Sequence, residues 1–357
     1  MTKITSIHPI LKAIESKEEF IVIDKGDYKV VDYVFQQPTT FDDPLVMECR
    51  GIKFCKDDMI LARPFRKFFN YGENGSDLPI WRPHYVTEKL DGSMIHPVVI
   101  NGRLYLHTRK GHTDVAKQAE RFMISTDRDY AGLCRVAFAS GWTPIFEYIG
   151  PNNRIVLRYD EENLVLLAMR RLVDGAIMEW TQLNAWCRHY KVPVVGRFGS
   201  IKDKDVFVET ARKLEGAEGY VVYFDDGYMV KIKAEDYVLQ HRALDDMSSK
   251  KKVVALCAQG FADDVLPMLS DADKKELIDF GFALNLEIQE YVNEASHLYD
   301  EWELCRKDFA LKVAPHMQPK WMAGVVFGLM DGKEPRKMVI DLVVRHWKDV
   351  QVKWRGQ

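Results

Sequence analysis

No C-x-x-C pair occurs in this 357-residue sequence, and its six cysteines (Cys49, Cys55, Cys134, Cys187, Cys257 and Cys305) are scattered. That distribution excludes a disulfide framework and a paired-cysteine zinc site, and it predicts free thiols in a reducing compartment. No apolar run approaches the length that crosses a bilayer, and the N-terminus lacks the long apolar segment of a signal peptide. The expected location is the cytoplasm, with no membrane partner. Internal repeats, low-complexity stretches and glycine-rich linkers are missing too. So is an excess of either charge: 50 Lys and Arg against 53 Asp and Glu leave a formal net charge of -3. A polyanionic partner would need a local basic groove, which the total conceals. What is present is an ordinary globular composition, 47% hydrophobic and 29% charged, in a chain long enough for two cores.

The patterning changes once along the chain. Ile7, Ile10, Leu11, Ile14 and Phe20 predict a short amphipathic helix within residues 5–21. Phe20 to Ile23 and Tyr28 to Val34 read as strands around a Lys25-Gly26-Asp27 turn. Lys89 to Ile100 reads as strand, Asp-Gly turn and strand, and Asp225-Asp226-Gly227 as a second hairpin turn. Helices are predicted near Thr113–Thr126, Tyr130–Ser140, Glu179–Tyr190 and Val206–Leu214, between further strands. From Asp273 onward Leu277, Phe280, Leu284, Ile288, Tyr291, Ala295 and Leu298 recur every three or four residues, one long helix with a single buried stripe. The predicted class is therefore α+β: packed antiparallel sheets and helices over residues 1–244, followed by an all-helical domain over 245–357.

The chemistry is carried by Thr87-Glu88-Lys89-Leu90-Asp91-Gly92-Ser93, with Phe146-Glu147-Tyr148, Glu218-Gly219-Tyr220 and Lys231-Ile232-Lys233 behind it. A lysine nucleophile, two separate carboxylates and a late Lys-x-Lys strand together suit covalent nucleotidyl transfer. The Lys89 amine attacks phosphorus only when unprotonated, so desolvation or neighbouring positive charge must lower its pKa. Lys231 and Lys233, two apart on one strand, point to the same face and could supply that charge while holding a triphosphate. Gly92 would let backbone approach the nucleotide, and Ser93 could donate to a phosphate. Carboxylates within apolar strands are unusual unless paired or ligating. Glu218 is the better candidate for holding Mg²⁺ and the reacting phosphate. Glu147 suits either the adenosine ribose or a metal, and the residues leave both readings open. Arg63, Arg66 and Lys67 alternate with aromatics, as on a polyanion-facing surface.

These motifs, in order from about Tyr28 to His241, resemble those of the ATP-dependent RNA ligases, most closely the phage T4 RNA ligase 1 type. The resemblance implies a covalent nucleotidyltransferase domain using ATP and Mg²⁺, with Mn²⁺ as a substitute. It implies catalytic roles for Lys89, Glu218, Lys231 and Lys233. Around the nucleotide it adds Tyr33, Arg50, Lys67, Glu88, Gly92, Lys110, Glu147 and Tyr237. It also suggests a cation near Asp263 and Asp264, which helix capping explains equally well. Gly150-Pro151-Asn152-Asn153-Arg154-Ile155-Val156-Leu157 matches an extension found in the T4-type enzymes. No OB-fold pattern follows the Lys-x-Lys strand, and the helical tail resembles the appendage associated with tRNA. The implied partner is RNA with 5′-phosphate and 3′-hydroxyl ends, a cleaved tRNA anticodon loop in particular, handled by a monomer in the host cytoplasm if the gene is viral. Two alternatives remain at this point: a capping-type guanylyltransferase, and a non-catalytic RNA-binding protein on the same fold.

Overall fold

Apolar strands, several of them buried on both faces, assemble into three sheets in the computed structural model, which describes residues 2–303 and 305–355. The strands are β1 (Phe20–Asp24), β2 (Tyr28–Tyr33), β3 (Ile52–Cys55), β4 (Ile60–Ala62), β5 (Phe69–Asn70), β6 (His84–Glu88) and β7 (Ser93–Ile100). They continue with β8 (Arg103–His107), β9 (Trp142–Ile149), β10 (Asn163–Arg171), β11 (Arg197–Phe198), β12 (Gly219–Phe224) and β13 (Met229–Lys233). The sheet orders are β1-β2-β3-β4, β10-β9-β7-β8 and β11-β6-β12-β13-β5. Pairing between these strands is antiparallel except at the sheet edge, where two-residue β5 runs parallel to β13. The chain divides into two units, Met1–Val238 and Leu239–Gln357, and all three sheets lie in the first.

Two expectations change. The helix predicted within 5–21 is only α1 (His8–Ile14): Glu15 is extended and Ser16 turns to φ +66°, which frees Phe20 for β1. Ile10 and Ile14 are buried in α1, but Leu11 is exposed, because a seven-residue helix has room for only a narrow inward stripe. The second change matters more. Asp91-Gly92 is not a hairpin turn: β6 belongs to the five-stranded sheet and β7 to a four-stranded one. Lys89 to Gly92 therefore carry the chain from one sheet to another. The Asp225-Asp226-Gly227 turn does close the β12–β13 hairpin, with Gly227 at φ +80°.

Helices α2 (Asp114–Ser125), α3 (Tyr130–Ala139) and α4 (Trp180–Tyr190) cover the β7–β10 sheet, and α5 (Lys204–Arg212) packs on β12 and β13. Thr113, Asp129, Glu179 and Asp203 cap their N-termini by accepting backbone N–H bonds. After α6 (Glu235–Asp246) the chain forms α7 (Lys250–Ala258), α8 (Ala262–Val265) and the 32-residue α9 (Asp271–Trp302). Then follow a single turn α10 (Arg306–Asp308), α11 (Met322–Met330) and α12 (Pro335–Arg345). The α9 stripe buries Leu277, Phe280, Leu284, Ile288 and Ala295, with Tyr291 and Leu298 packed at its edge. Buried Glu287 accepts the Gln351 and Val352 amides, and Trp354 donates from its indole to the Met247 carbonyl, which fastens the C-terminal segment to this helical core.

Candidate active site

Lys89 leaves β6 with its amide bonded to the Gly219 carbonyl at 2.9 Å. Gly219 sits at φ +137°, and a Cβ there would lie 2.0 Å from the Ile232 carbonyl oxygen, so only glycine lets β12 start this close to β13. The residue before it, Glu218, is thereby set beside the crossing segment. Its carboxylate, 3% exposed, lies 2.7 Å from Lys89 Nζ and 3.0 Å from Lys233 Nζ. Lys231 and Lys233 share a face of β13, as their spacing predicts, and both line a cleft of about 260 Å³. Phe65, Phe68, Leu90, Met94, Leu167, Val221 and Tyr223 give this cleft an apolar floor, while Tyr33, Arg50, Lys67, Thr87, Glu88, Lys89, Gly92 and Glu147 complete its wall. An apolar floor under a cationic wall is the surface a nucleotide requires: base on one side, phosphates on the other.

The cations crowd one another. Burial lowers Lys231, and the charges of Lys89, Arg50, Lys67 and Lys233 lower it further, to about 7. Arg50 is likewise lowered by burial and bonds only weakly, to the Phe65 carbonyl and the Met94 sulfur. Lys67 points its ammonium among the rings of Tyr33, Phe41 and Phe69 at 5.2–5.5 Å and donates to Gln36 Oε1. Glu147 is the opposite case. Burial pushes it up to about 8, with Glu218 and Asp91 adding to the rise against Lys89 and Arg50, and no side chain bonds it among the described residues. A desolvated carboxylate facing the cleft fits a cation brought by a nucleotide. Mg²⁺ ordinarily takes one or two carboxylates and fills its remaining positions with water and phosphate oxygens. No group of three or more His, Cys, Asp or Glu ligands forms among the described residues, so Glu147 and Glu218 could hold such an ion only with the phosphates completing it.

Several sequence-predicted residues sit elsewhere or do something else. Arg63 is fully buried and, with Arg170, grips the Glu48 carboxylate at 2.8–3.2 Å. Burial alone would raise Glu48, yet Arg170 and Arg63 together hold it at about 2, so Arg63 is a core ion pair and faces no polyanion. Arg66 donates to the Gly227 carbonyl. Lys110 is exposed in the turn after β8 and does not line the cleft, whereas its neighbour Arg109 stacks on Tyr33 at 4.7 Å and pairs with Asp32 at 3.0 Å. Gly92 is required by the fold itself, since a Cβ would come 2.3 Å from the Tyr148 carbonyl oxygen. The Ser93 hydroxyl donates to Asn153 Oδ1. Tyr237 is buried and donates its hydroxyl to Asp91 at 2.7 Å, and the Lys233 ammonium lies 4.9 Å over its ring. Asp263 and Asp264 are exposed on α8 in the second unit.

Two features escaped the sequence reading. Asp91, 2% exposed, accepts from Tyr237 Oη and from the Val156 and Leu157 amides, at 2.7–2.8 Å. Lys53 is fully buried, donates to the carbonyls of Gly51, Thr108 and Arg109, and is pushed by burial down to about 7. It pins the turn beside Arg50 to the turn carrying Arg109. No local pattern announces either, because every partner but Gly51 is distant in sequence.

The same block is matched by a family model described as RNA ligase, which covers residues 48–237 and so more than half of the chain. The chain belongs to the ATP-dependent RNA ligase family. It is 31% identical over 288 residues to a protein of Thermovibrio ammonificans named "Putative RNA ligase", covering 76% of this chain and 73% of that one. It is 28% identical over 245 residues to RNA ligase 1 of bacteriophage TS2126, covering 64% and 60% of the two chains. An archaeal ATP-dependent RNA ligase shares the fold with a TM-score of 0.50 and 14% identity, over 80% of this chain and 79% of the other. In this ligase the described helices of the second unit stand where the family resemblance anticipated a helical appendage, and no helix of the described residues is long and apolar enough to cross a membrane.

Proposed function

We propose that the ligase joins RNA 5′-phosphate and 3′-hydroxyl ends in three steps, with Lys89 as the nucleophile. In the first, Lys89 Nζ forms a bond to the α-phosphorus of ATP, the bond to pyrophosphate breaks, and the lysine proton is lost. In the second, an oxygen of the RNA 5′-phosphate takes the AMP, the phosphorus–nitrogen bond breaks, and Lys89 is regenerated. In the third, the RNA 3′-hydroxyl attacks the 5′-phosphate, and AMP leaves as the phosphodiester forms. Lys231, Lys233 and Arg50 stabilise the negative charge that develops on the phosphates. Mg²⁺, when bound, neutralises phosphate charge, and Glu147 and Glu218 would hold it.

The observation that carries this reading is the Lys89–Glu218–Lys233 contact at 2.7 and 3.0 Å on the rim of an apolar-floored cleft. Glu218 keeps Lys89 in place and aimed until a nucleotide arrives, and its remaining partner Lys233 is then free to meet phosphate. We assign residues 1–244 to nucleotidyl transfer and residues 245–357 to recognition of the RNA, a cleaved tRNA anticodon loop. Incubation with ATP or GTP labelled at the α-phosphate tests the reaction class. Label retained on the denatured protein from ATP alone, and its release on addition of a 5′-phosphorylated RNA, is expected. Label retained from GTP instead would make the enzyme a guanylyltransferase.

A further inference from the structure

Two stacking steps lead outward from the cleft. Tyr223, part of the cleft floor, lies face to face with Tyr85, their centroids 5.1 Å apart and their planes 1° from parallel. Over the Tyr85 ring, at 4.7 Å, sits the guanidinium of Arg197, with the Trp180 ring 5.3 Å from the same group. Arg197 pairs with Thr87 across the β11–β6 ladder, and directly opposed residues of an antiparallel pair project to the same face. Thr87 lines the cleft, so Arg197 stands on the cleft side of the sheet, on its outermost strand.

This arginine is exposed, yet its guanidinium is held against two rings. None of the described carboxylates pairs with it within ion-pair distance. Glu179 lies within electrostatic reach, but its carboxylate is committed to the α4 N-terminus, accepting from the Thr181 and Gln182 amides. A guanidinium already oriented by two rings loses less freedom when it binds, and its fork of N–H donors matches a phosphate. Arg109, over the cleft residue Tyr33, is neutralised by Asp32, whereas Arg197, one ring further out over Tyr85, has no such carboxylate partner among the described residues.

We propose that Arg197 binds a backbone phosphate of the RNA strand whose 5′-phosphate enters the cleft, and so positions that strand for AMP transfer. The inference rests on the ligase reading above. Arg197 acts on the strand and not on the reacting phosphorus, which makes it a positioning residue.

The test uses the full chain with saturating ATP, which re-forms the protein–AMP adduct in every turnover, and a 5′-phosphorylated single-stranded RNA. Arg197→Ala is expected to raise the KM for that RNA about tenfold with kcat unchanged. The logarithmic salt dependence of RNA binding should become shallower by about 0.7, as for the loss of one single-strand phosphate contact. Arg197→Lys should recover the salt dependence while leaving part of the KM defect, because an ammonium keeps the charge without the flat fork. Formation of the protein–AMP adduct from ATP, a step without RNA, controls for folding. Wild-type KM and salt dependence in Arg197→Ala would overturn the proposal. An equal loss in adduct formation and in AMP transfer would overturn it as well, since Arg197 would then merely support the Tyr85–Tyr223 stack. A wild-type enzyme that forms the adduct but passes no AMP to RNA would overturn the reading beneath it, and the proposal with it.

Discussion

Lys231 is held near 7 by burial and by four neighbouring cations, so near neutral pH the cleft already sheds part of its charge. Bound polyphosphate would return that proton. Lys231→Ala and Lys233→Ala should each slow adduct formation on the order of 10²-fold, the usual loss when one preorganised charge donor is removed. An adduct formed at the wild-type rate across pH 6–9 (a range of about this width spans the Lys231 value) would place that lysine outside the site. Glu147 provides a second test at this scale. Its folded pKa, about 8, lies above the ordinary 4.5, so the folded nucleotide-free protein holds a proton that the unfolded chain releases between those values. Its contribution to stability is therefore present below 4.5 and lost as pH rises through 8. Glu147→Gln should flatten that part of the curve of Tm against pH, and an unchanged slope would contradict the desolvated environment. The shared face of Lys231 and Lys233 was legible in the sequence because strand periodicity alone sets it. Arg63 misled because alternation of basic and aromatic residues looks the same on a surface and in a core that contains a buried Glu48.

At the scale of elements, the segment from Lys89 to Gly92 works as a strap between sheets, and Asp91 is its anchor. One carboxylate joins it to the Val156–Leu157 backbone and to Tyr237 in α6, beside the end of β13. Asp91→Ala would leave the Val156 and Leu157 amides without their acceptor, at about 1–3 kcal/mol for each that stays buried, and would take one of its partners from the Tyr237 hydroxyl, which also bonds Glu218. A destabilisation on the order of 3 kcal/mol or more is expected in denaturant unfolding, and a loss below about 1 kcal/mol would mean that water or neighbours replace the contacts. The helices were legible in outline, since caps and the stripe along α9 are local signals. The assignment of β6 and β7 to different sheets was not, because an Asp-Gly dipeptide between strands looks the same whether the chain folds back or crosses over. The same limit hid Lys53 and the Arg197 stack, which depend on pairings up to 112 residues apart in the chain, such as Phe198 with Val86.

For the whole molecule, the division of labour proposed between the two units can be read from a chain ended after Asp246, which keeps α6 entire. Once circular dichroism and a cooperative melt establish that this shortened chain is folded, it should seal nicked tRNA less efficiently, relative to a short linear strand, than the full chain does. Unchanged relative efficiency would remove tRNA recognition from the helical unit while leaving the ligase chemistry intact. That chemistry depends on one covalent bond. Intact-mass measurement of the full chain after incubation with ATP and Mg²⁺, followed by peptide mapping, tests it most directly. A mass increase of one AMP, carried on Lys89 and abolished in a folded Lys89→Ala variant, is expected. An AMP adduct on any other residue, or full adduct formation by that variant, would contradict Lys89 as the nucleophile.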